Sequence, residues 1–277
     1  MIHTRQLTKK FSNRTVLNGV DLDIAQGGIH GLVGRNGVGK STLLSLIAGQ
    51  LKPTSGELTV FGEKPFDRAS VMDRVALTGV DVTYPSRWRM RDILTAASLR
   101  YPGWDEVGAE QLITDFALED SLHTGYGTLS RGQRAMVGII VGLASSAELT
   151  LLDEPYVGLD THNRDVFYRH LLAMRDSHRT FVVATHHIHE SSKVLDSVII
   201  LGRDGTVKYQ YTADELSDSY VLATGVVPEA PGVLARQESH GTERALVPRG
   251  LIENLGPGVR TETADMSRVI EALLEES

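Results

Sequence analysis

The stretch Gly34-Arg35-Asn36-Gly37-Val38-Gly39-Lys40-Ser41 follows an apolar set, Ile29, Leu32 and Val33, and precedes another, Leu43, Leu44, Leu46 and Ile47. The first set reads as a strand and the second as the buried face of a helix, with Gly49 and Pro53 as stop signals. A glycine turn between a strand and a helix, in the pattern G-x-x-x-x-G-K-[ST], has a physical use. Its glycines let backbone N–H groups approach phosphate oxygens, and the helix N-terminus adds partial positive charge. Lys40 is then placed to reach β/γ oxygens of a triphosphate, and the Ser41 hydroxyl to ligate Mg²⁺. The candidate phosphate-binding residues run from Gly34 to Thr42.

The surrounding pattern agrees with an α/β core. Val20-Asp21-Leu22-Asp23-Ile24 alternates as a half-buried strand does. Glu148 to Leu152 and Thr180 to Thr185 are short apolar runs suited to a parallel sheet covered on both faces, with a helix expected around Arg164 to Asp176 between them. From about Asp81 to Ser146 the pattern turns helical, with segments near Arg91 to Arg100, Asp105 to Phe116 and Arg131 to Ser146. Beyond about Leu216, Pro228, Pro231, Pro248 and Pro257 break helices, so a small second unit is expected over 216–277 after a main domain over 1–215. It closes with Met266, Val269, Ile270, Leu273 and Leu274 at helical spacing, an apolar face that must dock on something.

Composition narrows the function. Lys and Arg total 28 against 35 for Asp and Glu, a formal charge of -7, so no overall positive field favours nucleic acid. There is no cysteine, which excludes disulfides and thiolate metal sites. The N-terminus lacks the apolar core of a signal peptide, and no apolar run approaches the roughly 18 residues that a spanning helix needs. The longest, Met136 to Ala144, suits a buried core helix.

Two further segments carry chemistry. Leu149-Thr150-Leu151-Leu152-Asp153-Glu154-Pro155 is an apolar strand ending in adjacent carboxylates, which point apart at a strand tip. Asp153 can hold the Mg²⁺ shell while Glu154 orients and deprotonates an attacking water. Leu129-Ser130-Arg131-Gly132-Gln133 places Ser130 as the cap of a helix whose free N–H groups face an anion.

In order and spacing, the phosphate loop, LSRGQ, LLDEP, Gly158-Leu159-Asp160 and Thr185-His186 resemble the nucleotide-binding subunit of ATP-binding cassette (ABC) transporters, over roughly Ile2 to Asp214. The resemblance implies a P-loop NTPase core with an N-terminal antiparallel β-subdomain, an inserted helical subdomain over about 81–146 and a small C-terminal α/β extension. It implies MgATP as the ligand and a head-to-tail dimer, homomeric or heteromeric. In that dimer Ser130, Arg131, Gly132 and Gln133 cover the nucleotide held by the partner's loop. Asp160 would lie at the interface, His186 would contact the γ-phosphate beside the base Glu154, and Phe11 would stack on adenine. The subunit would sit on the inner, cytoplasmic face of the membrane and drive a separately encoded permease. Tyr101-Pro102-Gly103-Trp104-Asp105-Glu106 and the C-terminal extension look like the antibiotic-peptide and multidrug efflux group.

The bland alternatives are a core aromatic at Phe11, and a metal site at His186, His187 and His189, where the latter two are expected to be solvated. The family's glutamine between the loop helix and the helical insert has no counterpart between Gln50 and Gln111; Val80 or Asp81 falls there, and Asp81 could supply the missing oxygen. A soluble cassette protein acting on ribosomes or nucleic acid is the rival function, but those relatives carry paired cassettes or long coiled coils, and this chain shows one loop, one signature and no sustained heptads.

Overall fold

The computed structural model describes residues 1–79, 82–239 and 242–277. Strands β1 (Ile2–Phe11) and β2 (Arg14–Ile24) pair antiparallel, with Ile2 opposite Ile24 and Phe11 opposite Arg14. The period of two turns Val20, Leu22 and Ile24 inward and leaves Asp21 and Asp23 in water. β3 (Gly28–Val33) runs into the glycine turn and α1 (Lys40–Ile47), and β4 (Ser55–Val60) returns to the free edge of β1 to complete a three-stranded sheet.

After the short α2 (Ala69–Met72) and β5 (Val75–Gly79) come three helices, α3 (Met90–Arg100), α4 (Glu106–Asp115) and α5 (Arg131–Ala144). The chain then alternates through β6 (Leu149–Asp153), α6 (Thr161–Ala173), β7 (Thr180–Thr185), α7 (Ile188–Ser191), β8 (Ser197–Leu201) and β9 (Val207–Thr212). The central sheet has the order β5-β6-β7-β3-β8-β9, parallel except for β9. β3, which delivers the glycine turn, lies inside this sheet beside β7, so the loop, the β6 tip and the β7 tip share one edge. Ligands of open parallel sheets bind at the carboxyl ends of the strands.

Alternate residues of the sheet enter two cores. Leu32, Leu151, Val182 and Ala184 pack with α1 and the N-terminal sheet, while Val33, Leu152, Phe181 and Val183 pack with the helical layer. Arg179 ties that layer to the sheet: its guanidinium donates to the carbonyls of Leu143 at 2.8 Å and Ala147 at 3.1 Å, and to Thr150 Oγ1 at 3.1 Å. The first of these is an orphan carbonyl of the last turn of α5. Burial lowers the Arg179 pKa to about 10.

The chain continues through α8 (Ala213–Ser219), β10 (Tyr220–Gly225), β11 (Leu234–Ser239), β12 (Thr242–Pro248), β13 (Arg260–Thr263) and α9 (Met266–Glu276). These strands form an antiparallel sheet, β11-β12-β10-β13, with a small apolar cluster of its own around Val221, Ala223, Ala245 and Val247. The face of α9 bearing Val269, Ile270 and Leu273 belongs instead to the large core that includes Ile188, Val194 and Phe167. Helix ends differ from the sequence reading where caps act. α6 starts at Thr161, not near Arg164, because Asp160 takes the Asn163 N–H at 2.8 Å.

Candidate active site

The glycine turn has the backbone its residues demand. Gly37 and Gly39 have φ of +79° and +117°, and a Cβ on Gly39 would stand 2.9 Å from Leu17 Cδ2. Lys40, first in α1 and buried, folds back so that Nζ donates to the carbonyls of Gly34 at 2.8 Å and Arg35 at 3.3 Å.

Glu154 directly follows β6. Its φ is +49°, a left-handed backbone that a side chain disfavours, and it is held there by its N–H bond to Ala184 O at 3.0 Å. That turn sets its carboxylate between two nitrogens, Lys40 Nζ at 3.3 Å and His186 Nδ1 at 2.8 Å. The His186 contact is an ion-pair distance off the line of a hydrogen bond, and both carboxylate oxygens lie out of water without a hydrogen-bond donor. A buried carboxylate with bonding capacity left over suits a group that must take a proton from an incoming molecule.

A cavity of about 480 Å³ opens here, lined by Asn36, Ser41, Asp153, Glu154, His186 and Arg131 among others. A second, about 300 Å³, runs along the glycine turn past Gly37, Gly39, Lys40, Ser41 and Thr42 and also reaches Glu154. Ser41 and Asp153 share two cavities, the second of about 220 Å³. A hydroxyl and a carboxylate facing one space fit a hard divalent cation of the Mg²⁺ kind. Asp81, the other residue considered for that cation, lies outside the described residues, as does Val80.

Not every expected residue converges. Phe11 is 44% exposed, with Lys9 Nζ 4.8 Å from its ring centroid, and it does not line the turn's cavity. Arg14, opposite Phe11 on β2, does line it. Ser130 and Gln133 spend their side chains on a reciprocal cap of α5: Gln133 N–H donates to Ser130 Oγ at 3.2 Å and Ser130 N–H to Gln133 Oε1 at 2.9 Å. Gly132 lies under the Gly158 carbonyl, where a Cβ would come within 2.6 Å. Arg131 reaches the large cavity, whereas Ser130 and Asp160 are exposed outside it.

Several lining residues escaped the sequence reading, Arg164, Tyr156, Arg14 and Gln50 among them. Arg164 and Tyr156 enter the large cavity and Arg14 the turn's cavity, while Gln50 lines the cavity shared by Ser41 and Asp153. Burial, reinforced by the Glu154 carboxylate, pushes the Tyr156 hydroxyl far above its ordinary pKa, so it stays a proton donor. His187 is exposed, as expected, and so is His189; the His187 ring lies 4.0 Å from His186 and 5.6 Å from Tyr156, and partial burial, then His186, hold its pKa below the ordinary histidine value. Among the described residues no group of three or more His, Cys, Asp or Glu is arranged to hold a metal ion.

A family model described as ABC transporter matches residues 17–157. The manganese transport system ATP-binding protein of Listeria monocytogenes is 33% identical over 229 residues, 77% of this chain and 93% of that protein. The chain belongs to the ABC transporter family. It is the ATP-binding subunit type, an ATPase with a P-loop core. The daunorubicin/doxorubicin resistance ATP-binding protein of Streptomyces peucetius is 28% identical over 222 residues, 79% of this chain and 67% of that protein. Among solved structures, the dimeric structure of a bacterial ABC transporter cassette is 25% identical with a TM-score of 0.67, covering 77% of this chain and 99% of that one. In this ABC ATPase the family match ends just past the β6 tip and its turn, while the helix α9 lies far beyond it.

Proposed function

We propose that this ABC ATPase grips MgATP in the Gly34–Thr42 turn, hydrolyses it with Glu154 as the base, and drives a separate membrane permease that exports its cargo. The observation that supports it is the convergence of Lys40 and His186 on the Glu154 carboxylate at 3.3 and 2.8 Å. Lys40 lines the turn's cavity, where its charge would serve β/γ oxygens better than a loop carbonyl. Drawn there, it frees Glu154 to orient a water for in-line attack and take its proton, while His186 donates to the γ-phosphate. Mg²⁺, held by Ser41 and by Asp153 directly or through water, would neutralise charge on the phosphates. Asp81 remains the sequence candidate for the family's missing glutamine.

The active unit we assign is a head-to-tail dimer, of like or unlike subunits, in which the Ser130–Gln133 helix start covers the nucleotide of the partner. A dimeric cassette among the structural neighbours supports this. No helix among the described residues is long and apolar enough to cross a membrane. We assign the pathway to a separate permease and place the subunit on its cytoplasmic side. Residues 1–215 form the ATPase domain and 216–277 a C-terminal unit. Export is favoured by lengths: the drug-resistance relative is matched over 67% of itself, leaving much beyond the cassette as here, whereas the manganese relative is matched over 93%. Direction is tested with the copurified permease in inverted vesicles, where ATP-driven accumulation inside indicates export and its absence with ATP-driven release indicates import.

A further inference from the structure

The one-turn helix α7 begins two residues after His186, and both its flanks are taken. On one side Glu190 receives Arg164 of α6 at 2.8 and 3.0 Å, and Arg164 lines the cavity shared by Glu154 and His186. On the other lies α9: Ser267 Oγ is 3.1 Å from His189 Nδ1, and Glu271 Oε1 is 3.7 Å from His189 Nε2. Ser267 gives its one hydroxyl proton to Asp265 Oδ1 at 2.5 Å, so the His189 Nδ1–H must be the donor to Ser267 Oγ.

The support beneath these contacts is rigid. Asp265 caps α9 by taking the Ser267 N–H at 2.8 Å, and Val269, Ile270 and Leu273 are at most 1% exposed in the same apolar cluster as Ile188. The turn between His186 and His189 is equally stiff. Thr185 Oγ1 accepts the His187 N–H at 2.7 Å, and Ser191 Oγ donates to His187 O at 2.8 Å. One short, hydrogen-bonded turn thus joins His189 to His186.

We propose that the C-terminal unit is a positioning clamp for His186, acting through Ser267 on His189. The clamp rests on the reading of His186 as the γ-phosphate contact. His189 is a positioning residue: it does not line the cavity, and it sets where the His186 ring stands relative to Glu154. The unit so engaged lies beyond residues 17–157 that the family model matches, as do His186 and His189 themselves.

The test uses the full-length protein. His189→Ala and Ser267→Ala should each lower kcat for ATP roughly fivefold, the loss expected when contacts that orient a reacting group are removed, with KM for MgATP unchanged in both and the melting temperature unchanged in His189→Ala. His189→Asn, whose amide can still donate to Ser267 Oγ, should restore most of the rate. In a His186→Ala background none of these changes should lower the rate further. Wild-type kcat in the single variants, or an equal loss in the His186→Ala background, overturns the clamp. Full activity of His186→Ala alone would remove the reading beneath it, an outcome seen separately from either.

Discussion

Lys40 Nζ stands 3.3 Å from Glu154 Oε1, so the cation that starts α1 and the carboxylate that ends the β6 turn neutralise each other across the cavity. This pairing links loading to reactivity, because the lysine cannot serve a phosphate and hold the carboxylate equally well. Lys40→Ala should weaken ATP binding by about 10- to 100-fold, the loss expected for charge-assisted hydrogen bonds. Titration with a fluorescent ATP analogue reads it, and unchanged affinity would place the triphosphate elsewhere.

Glu154→Gln keeps the shape and removes the base. It should bind ATP at least as tightly as wild type and lose hydrolysis by on the order of 10²- to 10⁴-fold, with ATP-bound dimer accumulating on size-exclusion chromatography. Hydrolysis at the wild-type rate would take Glu154 out of that role.

Arg179 makes a prediction about stability alone. Arg179→Met should fill similar space yet leave the Leu143 and Ala147 carbonyls without their donor, costing about 1–3 kcal/mol in urea unfolding. The effect should be absent from nucleotide affinity, since Arg179 lines none of the three cavities at the site.

His30 gives a pH dependence. It is buried, with Nδ1 2.7 Å from Ser197 Oγ and Nε2 2.8 Å from Gly27 O, and burial lowers its pKa below the usual 6.5. The unfolded chain therefore binds a proton that the folded chain refuses, so stability is full above about pH 6.5 and declines as pH falls towards the depressed folded value. His30→Gln should flatten that decline in melting temperatures measured between pH 7.5 and 5.5; a slope equal to wild type would assign it to other groups.

What the sequence disclosed follows from how local each signal is. The turn at Gly34 to Ser41 was legible because its glycines, lysine and serine are contiguous and their chemistry depends on one strand and one helix. The β6 carboxylates were legible for the same reason. Arg164 and Tyr156 were not, because a helix residue and a buried phenol declare no role until α6 is packed beside the β7 tip. The C-terminal strands were hidden by their prolines and by an antiparallel pairing that links residues such as Val221 and Val247. The apolar face of the last helix was plain from spacing, but its landing place against α7 is a contact some eighty residues away in sequence, as His189 and Ser267 show.

The left-handed twist at Glu154 leaves a mark on durability. A polymer selected for endurance alone would keep glycine at that corner, where the same φ of +49° carries no steric charge. Glu154→Gly should accordingly melt later than its parent while doing no work on ATP. On the reading of Glu154 as the base, this corner gives up sturdiness for turnover, whereas Ser146 carries the same φ of +49° with no such return.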